Sequence, residues 1–309
     1  MSTKTIRIAT RQSPLALWQA NHVRDLLLKQ HSQLTIELLP MTTSGDKFLN
    51  DKLLTVGGKG LFVKELEEAL LAQRADFAVH SAKDMPAEFP AGLNLMAICQ
   101  RDNPFDVLVS KKYHHLDKLP QDAIVGTSSL RRQSQLLAYR PDLTIKPLRG
   151  NINTRLAKLE SGEYHAIILA AAGLERMGFK QEISEQLSAR IMLPACGQGA
   201  LAIECRTDDD EINALIAGLN DQVSAICVHT ERKVNALLGG NCHVPLAVFC
   251  APTKDKRLIL RAKILNYNGS QMLEYEQIDT LENAPLMATR CAQSLLDQGA
   301  EKLLASIPK

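Results

Sequence analysis

A thiol and a carboxylate stand in this sequence at points where regular structure is expected to end. Cys242 follows Gly239 and Gly240, which close a long helical pattern, and it precedes a run of strands. Most free thiols are small buried hydrophobes, so the position of Cys242 alone does not predict reactivity. Lys83 and Asp84 come just past a strand, at the sheet edge where ligands bind in open α/β proteins, although a simple surface ion pair is the alternative.

Arginines recur where predicted strands give way to helices. Residues 126–129 lead from a strand into a helix whose first turns carry Arg131 and Arg132, and a similar junction follows at Arg149. A cation at a helix N-terminus costs roughly 0.3–1 kcal/mol, so repetition of this conflict on one sheet edge is typical of a functional site. Because guanidinium groups pair bidentately with carboxylates and phosphates, the pattern predicts a ligand with many anionic groups. The arginines concerned are Arg11, Arg131, Arg132, Arg149, Arg155 and Arg176.

The spacing of cysteines and histidines argues against a metal site and against a disulfide framework. The seven cysteines are an odd number without a Cys-x-x-Cys pair, and no two histidines have helical ligand spacing. We therefore expect no metal, and the unpaired thiols favour a cytoplasmic location. Cys242 and His243 are adjacent, but neighbouring loop residues seldom point at one target, so a catalytic dyad is not expected.

The overall composition confines any positive site to one part of the surface. The 309 residues are enough for two or three domains. A formal net charge of +2 gives no global attraction to nucleic acid or membranes, and 4% aromatic residues leave little for stacking on bases. No apolar run is long enough to cross a bilayer, and the first ten residues lack a signal core. We expect a soluble protein that binds neither nucleic acid nor membrane.

Alternating strands and helices supply the framework for these side chains. Strands near 5–10 and 34–41 flank a helix that starts with Ser13 as N-cap and Pro14 at its first position, the beginning of a parallel α/β sheet. Further strands are predicted at 75–80, 93–99, 106–110, 123–125, 143–148, 166–170 and 201–205. Towards the C-terminus, a helix, three consecutive strands and a last helix near 284–305 form a small α+β unit.

The glycine-rich segment 57–60 (GGKG) is predicted to open another helix, which runs to about residue 74. It is not a P-loop, because Leu53 stands where the first glycine belongs and Gly60 replaces the hydroxyl residue that would hold magnesium. Amides at the start of the helix could still bind an anion. The polar connection 42–59 is either a candidate lid over a substrate or a surface loop without a role.

Seven motifs along the whole chain resemble those of the porphobilinogen deaminase family, also called the hydroxymethylbilane synthases. They are IATRQSPLA at 8–16, GGKGLF at 57–62, HSAKDMP at 80–86, GTSSLRR at 126–132, RGN at 149–151, PACGQGA at 194–200 and GNCHVP at 240–245. Two positions depart from the family pattern, which often has Met where Ala82 stands and Gly where Asn241 stands. Neither change removes a reacting group, and Asn tolerates the left-handed backbone that glycine favours.

The resemblance implies an α/β fold with two lobes like those of type II solute-binding proteins, a doubly crossed connection between them, and a small C-terminal α+β domain. Domain 1 would comprise residues 1–99 with 200–218, domain 2 residues 100–199, and domain 3 residues 219–309. The implied reaction joins four porphobilinogen molecules head to tail with loss of ammonia and ends with hydrolysis to hydroxymethylbilane. The implied cofactor is a covalent dipyrromethane made from two substrate units, and the expected protein is a cytoplasmic monomer.

The resemblance assigns chemistry to two residues and carboxylate binding to many. Asp84 matches the catalytic acid, and Cys242 matches the thioether attachment of the dipyrromethane. The acetates and propionates of the pyrroles are assigned to Arg11, Ser13, Lys83, Ser129, Arg131, Arg132, Arg149, Arg155 and Arg176. Further contacts are expected from Lys59, Phe62, Ser81, Thr127, Ser128, Gly150, Gln198 and Gly199. No metal is implied.

The physical chemistry of these residues fits the assignment. Each pyrrole carries two carboxylates, so a growing pyrrole chain explains the arginines better than a phosphate would. Loss of ammonia leaves a cationic azafulvene, which a carboxylate about 4 Å away stabilises by roughly 4 kcal/mol at an effective dielectric near 20. Cys242 follows a helix C-terminus, where the dipole disfavours a thiolate, so we expect a tether and not a nucleophile that turns over.

Two other functions could use the same arginines. A non-catalytic anion-binding module with solute-binding lobes would need a signal segment for the periplasm, and none is expected here. A nucleic-acid binder would need more positive charge and more aromatic residues. The synthase hypothesis differs from both because it requires added mass on Cys242.

Overall fold

The computed structural model describes residues 5–47, 62–239 and 244–305, and it divides the chain into two units. Unit 1 comprises residues 1–101 and 200–225, and unit 2 comprises residues 102–199 and 226–309. Unit 2 includes nearly all of the predicted domains 2 and 3, whose separation stays a prediction. The predicted sites at Lys59 and Cys242 lie outside the described residues, as does the glycine-rich segment 57–60.

Strands and helices alternate through most of the chain. The first elements are β1 Thr5–Arg11, α1 Pro14–Gln30, β2 Thr35–Met41, α2 Ser44–Lys47, α3 Lys64–Leu71, β3 Phe77–Ser81, β4 Leu93–Ile98, β5 Asp106–Val109, β6 Ile124–Gly126, α4 Leu130–Tyr139, β7 Thr144–Lys146 and α5 Ile152–Glu160. Those that follow are β8 Ala166–Ala170, α6 Ala171–Arg176, β9 Glu185–Gln186, β10 Leu201–Arg206, α7 Asp210–Ala217, α8 Gln222–Leu237, β11 Leu246–Pro252, β12 Leu258–Leu265, β13 Met272–Asp279, α9 Ala284–Asp297 and α10 Ala300–Ala305.

Unit 1 is organised around a five-stranded sheet with the order β2-β1-β3-β10-β4. β1 is parallel to β2 and β3, whereas β10 is antiparallel to both of its neighbours. Ile8 and Phe77 pack on one face of the sheet with the apolar side of α1, and Ala9 and Ala78 pack on the other face with α3. Ser13 caps α1 as predicted, since its hydroxyl accepts a hydrogen bond from the Ala16 N–H at 3.3 Å.

Unit 2 contains a second five-stranded sheet, β7-β6-β8-β5-β9, with the same internal arrangement. β6 is parallel to β7 and β8, and β5 is antiparallel to β8 and β9. In each sheet the antiparallel fourth strand follows a chain crossing, β5 after residue 101 and β10 after residue 199. The predicted fold class, two α/β lobes with a doubly crossed connection and a C-terminal α+β part, is confirmed.

The C-terminal part of unit 2 is a three-stranded antiparallel meander, β11-β12-β13. Its core joins β11 and β12 to α9 through Met287, Cys291 and Leu295, which are all fully buried. The hairpin between β12 and β13 lies against α4, because a Cβ at Gly269 would come within 2.4 Å of Ser134 O. This meander is therefore packed directly on the helix that carries the paired arginines.

Two helices differ from their prediction, and their ends explain why. α3 begins at Lys64 and not near residue 60, and its first turn carries Glu65 and Glu67, which suit the positive end of the helix dipole. The predicted last helix is two helices, since Gly299 takes a left-handed φ of +100° between α9 and α10. None of the described helices is long and apolar enough to cross a membrane.

We expect Gly269→Ala to destabilise unit 2 more than an ordinary glycine replacement does. Gly269 has φ +74°, and an added Cβ would overlap the backbone of α4. Strain and overlap together should cost about 2–4 kcal/mol in the free energy of unfolding. Gly162→Ala is the matched control, since Gly162 has φ +83° and nothing within 4 Å of the added atom, and it should cost only about 1 kcal/mol. Urea unfolding measures both, and equal losses would contradict close packing at Gly269.

Candidate active site

The turn that carries Asp84 is fixed at the end of β3. The strand stops at Ser81, and Ala82–Asp84 forms a single 3-10 turn. Ala82 is buried, and its backbone N–H donates to the Ala200 carbonyl at 3.0 Å. Asp84 is exposed, and none of the residues that the structure describes bonds to its carboxylate. The turn therefore presents this carboxylate at the carboxyl edge of the sheet of unit 1.

Strand β1 ends beside β3 at the same edge. The two strands are parallel, with Ile8 paired to Phe77. Arg11, the last residue of β1, holds its guanidinium carbon 4.3 Å from the centre of the Phe62 ring. The hydroxyl of Ser81 accepts a hydrogen bond from Gln19 of α1 at 2.8 Å. Because parallel strands end at a common edge, the predicted residues of unit 1 are brought to one place there. These residues are Arg11, Ser13, Phe62, Ser81, Lys83 and Asp84.

A buried acidic cluster lies behind this edge, on the side of the sheet that α3 covers. His80 of β3 and Glu204 of β10 are buried, and His80 Nε2 is 3.0 Å from Glu204 Oε2. Burial and the charge of Glu204 raise the pKa of Glu67 on α3 to about 7. Oε1 of Glu67 and Oε1 of Glu204 are buried and have no hydrogen-bond partner among the described residues. β3, the strand that leads to Asp84, therefore packs beside buried carboxyl groups. One of them, Glu67, has a pKa close to neutral pH.

In unit 2 the paired arginines at the start of α4 surround one carboxylate. Asp106, the first residue of β5, is fully buried, and its Oδ2 accepts from Arg131 Nη1 at 2.8 Å. Its Oδ1 accepts from Arg132 Nε at 3.0 Å and from Arg132 Nη2 at 2.7 Å. Burial would raise the pKa of Asp106, but the charges of the two guanidinium groups outweigh it and lower the pKa to about 2. The carboxylate is therefore ionised at any pH at which the protein works.

The two arginines differ in the donors that they have left. Arg132 uses all three of its nitrogens, since Nη1 also donates to the Ile168 carbonyl at 2.9 Å. Arg131 bonds through Nη1 alone among the described residues, to Asp106 and to the Leu193 carbonyl at 2.7 Å. Arg131 therefore has Nε and Nη2 without a bond to any described residue, whereas Arg132 has a protein partner on each of its three nitrogens and two N–H groups beyond those bonds.

The loop at the returning crossing is bonded to the same group of residues. Gln198 is buried, and its Nε2 donates to Asp106 Oδ1 at 3.1 Å and to the Pro104 carbonyl at 2.7 Å. Arg176 donates from Nε to Asp102 Oδ2 at 2.9 Å and from Nη2 to the Gly199 carbonyl at 2.7 Å. Gln198 and Arg176 thus connect the outgoing segment to the returning segment.

The remaining predicted residues of unit 2 lie at the adjacent ends of β6 and β7, which are parallel. Ser128 Oγ bonds to both the N–H and the carbonyl of Leu148 at 3.0 Å, which ties the two strand ends together. Arg155 donates from Nε to the Gly150 carbonyl at 2.8 Å, and Arg149 beside it is half-buried. Thr127 and Ser129 complete the junction through a bond from the Ser129 N–H to Thr127 Oγ1 at 3.2 Å.

The donor set of unit 2 fits a ligand that is rich in carboxylates. Arg149 and Arg155 are half-buried, and Arg131 has N–H groups that no described residue engages. The binding of a dipyrromethane by these arginines stays a prediction, as does their assignment to particular carboxylates. Within the described part of the chain, no cluster of His, Cys, Asp or Glu could hold a metal ion.

Sequence reasoning missed the acids that hold the arginines in place. Asp106 opens a strand that is otherwise apolar, Asp-Val-Leu-Val, and a buried carboxylate demands cationic partners. A charged residue at the start of an apolar strand was the one signal in the sequence that could have indicated this buried ion pair. Asp102 at the outgoing crossing and Glu67 on α3 carry no comparable signal, because their roles depend on contacts between distant segments.

Two family models match the chain. The model for "Porphobilinogen deaminase, dipyromethane cofactor binding domain" matches residues 6–214, and the model for "Porphobilinogen deaminase, C-terminal domain" matches residues 225–297. Porphobilinogen deaminase of Legionella pneumophila strain Paris is 68% identical over 308 residues, which cover 100% of each chain. The same enzyme of strain Philadelphia 1 is 67% identical with equal coverage.

Solved structures of periplasmic binding proteins match this chain with low scores. A periplasmic substrate-binding protein of an ABC transporter from Coxiella burnetii has a TM-score of 0.43 at 13% identity, over 71% of this chain and 94% of its own. A nutrient-binding protein from Burkholderia cenocepacia bound to methionine has a TM-score of 0.43 at 13% identity, over 74% and 94%. Scores this low carry no argument, so the fold class rests on the strand orders.

Glu67 should make stability depend on pH. Its pKa rises from 4.5 to about 7 on folding, so the folded state binds more protons than the unfolded state between these values. Stability is therefore greatest below pH 4.5 with respect to this group, and it falls by on the order of 3 kcal/mol as pH rises to 7. Glu67→Gln should remove that loss. The free energy of unfolding of the variant, measured with urea relative to that of the wild type, should therefore be higher at pH 8 than at pH 5. Glu88→Gln, at an exposed position that does not contribute to the pKa shift of Glu67, is the control and should show no such gain.

Proposed function

Because this chain belongs to the porphobilinogen deaminase family, it condenses porphobilinogen on a dipyrromethane cofactor, and we propose that Asp84 carries the chemistry and Cys242 holds the cofactor. The observation that supports the role of Asp84 is its place. It is an exposed carboxylate on a turn pinned to the end of β3, without a partner among the described residues. The reaction joins four substrate molecules head to tail, with loss of ammonia at each step and hydrolysis to hydroxymethylbilane at the end.

Asp84 acts on the substrate when the bond between its aminomethyl carbon and nitrogen breaks. The pyrrole nitrogen pushes ammonia out, and the substrate becomes a cationic azafulvene. A carboxylate about 4 Å away stabilises such a cation by roughly 4 kcal/mol at an effective dielectric near 20. The dipyrromethane, when bound, would supply the pyrrole α-carbon at which the new carbon–carbon bond forms, and the proton lost from that carbon would be taken up near Asp84. Asp84 hydrogen-bonds the pyrrole N–H and relays protons during these steps.

The substrate and cofactor carboxylates are held by the residues at the strand ends. In unit 1 these are Arg11, Ser13 and Lys83, which share the sheet edge with Asp84. In unit 2 these are Ser129, Arg131, Arg132, Arg149, Arg155 and Arg176. The unengaged donors of Arg131 and the partial exposure of Arg149 support direct binding by these two residues. Arg132 and Arg176 act from fixed positions, since Asp106 and Asp102 hold them.

Cys242 is the attachment point, and the dipyrromethane supplies the pyrrole carbon to which the first substrate is joined. α8 leads the chain toward this cysteine and ends at Leu237, after which Gly239 takes a φ of +61°. The thiol forms a thioether once and is not regenerated between turnovers. We further propose that the enzyme is a transferase of the hydroxymethylbilane synthase type that works as a monomer in the cytoplasm, with porphobilinogen as its small-molecule partner.

Purified protein should be heavier than its sequence by two linked pyrrole units. The added mass should lie on the peptide that contains Cys242, and Cys242→Ala should remove it. Cys196→Ser is the matched control, because Cys196 is a partly exposed cysteine and its replacement should leave the added mass in place. Intact-mass and peptide-mass spectrometry measure both. An active protein with the bare sequence mass would overturn the assignment.

Asp84→Asn should keep the cofactor and lose turnover. The amide retains the size and the hydrogen-bonding shape of the side chain but not its charge, so the cationic intermediate loses about 4 kcal/mol of stabilisation. We expect kcat to fall about a thousandfold, with an unchanged intact mass. Glu88→Gln, an exposed acid four residues further on, should leave kcat unchanged. Near wild-type turnover in Asp84→Asn would refute the role of Asp84.

A further inference from the structure

The buried carboxylate of Asp106 stands at the meeting point of the paired arginines and the two chain crossings. It lies at the first position of β5, four residues after the outgoing crossing enters unit 2 at Asp102. It accepts hydrogen bonds from Arg131, from Arg132 and from Gln198 of the returning segment. One side chain therefore fixes two guanidinium groups and one loop at the same time.

The charge balance of this group leaves it attractive to anions. Two guanidinium groups and one carboxylate carry a net charge of about +1 in a nearly water-free environment, where electrostatic effects are strong. Without the carboxylate, two adjacent buried cations would repel each other and turn toward solvent. With it, Arg131 stays in one orientation and keeps Nε and Nη2 unengaged by described residues.

Arg176 also bonds to both chain crossings. Its guanidinium bonds to Asp102 in the outgoing segment and to the carbonyl of Gly199 in the returning segment. The two segments also bond directly, since the Asp102 N–H donates to the Gly199 carbonyl at 3.2 Å. Gly199 has φ +88°, and an added Cβ would lie 2.7 Å from the Asp102 carbonyl, so the segments pass in close contact. Arginines assigned to ligand carboxylates are thus part of the structure of both crossings.

We propose that Asp106 is a positioning residue, which holds Arg131 and Arg132 ready for the carboxylates of the pyrrole chain before any pyrrole is bound, and that Gln198 joins this arrangement to the returning crossing. The proposal rests on the proposed function of the arginines. It assigns Asp106 a role beyond stability, because a buried ion pair of this kind seldom stabilises a protein more than apolar residues of the same size would. Asp106 touches neither substrate nor cofactor and acts only through the arginines.

The test follows the assembly of the cofactor and not turnover. Protein made in cells without porphobilinogen is mixed with porphobilinogen, and intact-mass spectrometry follows the gain of two pyrrole units over time. The wild type should gain this mass on the Cys242 peptide, and failure of the wild type would count against the proposed function itself. Asp106→Asn should gain it at least about tenfold more slowly, because Arg131 loses its fixed orientation. An unchanged rate in folded Asp106→Asn overturns the positioning role.

Asp76→Asn is the matched control for loss of a buried acid. Asp76 is 4% exposed in unit 1, and it pairs with Arg7 at 3.5 Å and with Arg206 at 3.9 Å. It should lower the melting temperature and leave the rate of mass gain unchanged. An equal slowing in Asp76→Asn would show that general destabilisation explains the effect, which overturns the proposal.

Gln198→Met keeps the proposal testable if Asp106→Asn does not fold. Methionine fills the same space without the amide, and both arginines keep their carboxylate, so folding should survive. The rate of mass gain should fall about threefold or more, because the Asp106 carboxylate loses one of its hydrogen-bond donors. A rate equal to that of the wild type would overturn the link between the returning crossing and the arginines.

Discussion

Two guanidinium groups buried side by side require an anion, and Asp106 is that anion. Its bonds to Arg131 and Arg132 resolve the conflict between these arginines and the dipole of α4, because the carboxylate replaces the solvent that would otherwise hold the charges. Once this ion group is formed, the start of α4, the first residue of β5 and the loop at Gln198 must all meet there. Removing one partner of such a group leaves an uncompensated charge and costs about 3–5 kcal/mol.

In the proposed function, the two units have different electrostatic roles. A carboxylate that stabilises a short-lived cation must not be neutralised by a permanent one, and Asp84 stands exposed on its turn in unit 1 without an arginine bonded to it among the described residues. Groups that hold many carboxylates need permanent positive charge, and unit 2 supplies Arg131, Arg149 and Arg155. Placing the two kinds of group on separate sheets lets each keep the environment that its task requires.

Local patterns predicted the strand ends and the cap at Ser13, because a parallel sheet brings its carboxyl ends to one edge and a hydroxyl before proline favours a helix start. The prediction that the paired arginines face a ligand stays a prediction, and the structure adds that both are largely buried and bonded to Asp106. The sequence could not identify that partner, since Asp106 lies 25 residues before Arg131, on a separate strand. The break at Gly299 was likewise missed, because one glycine within an apolar periodicity does not by itself end a helix.

The position of β10 has a consequence for how this protein is made. β10 lies between β3 and β4, although more than a hundred residues separate it from either strand in the chain. Until residue 206 has left the ribosome, β3 and β4 of the nascent chain each present an open, apolar edge with no partner. Open edges of this kind are templates for pairing with other chains, and distant pairing is slow. The sheet of unit 1 is therefore completed only after residues 102–199 of unit 2 have been synthesised, and until then its open edges can pair with other chains.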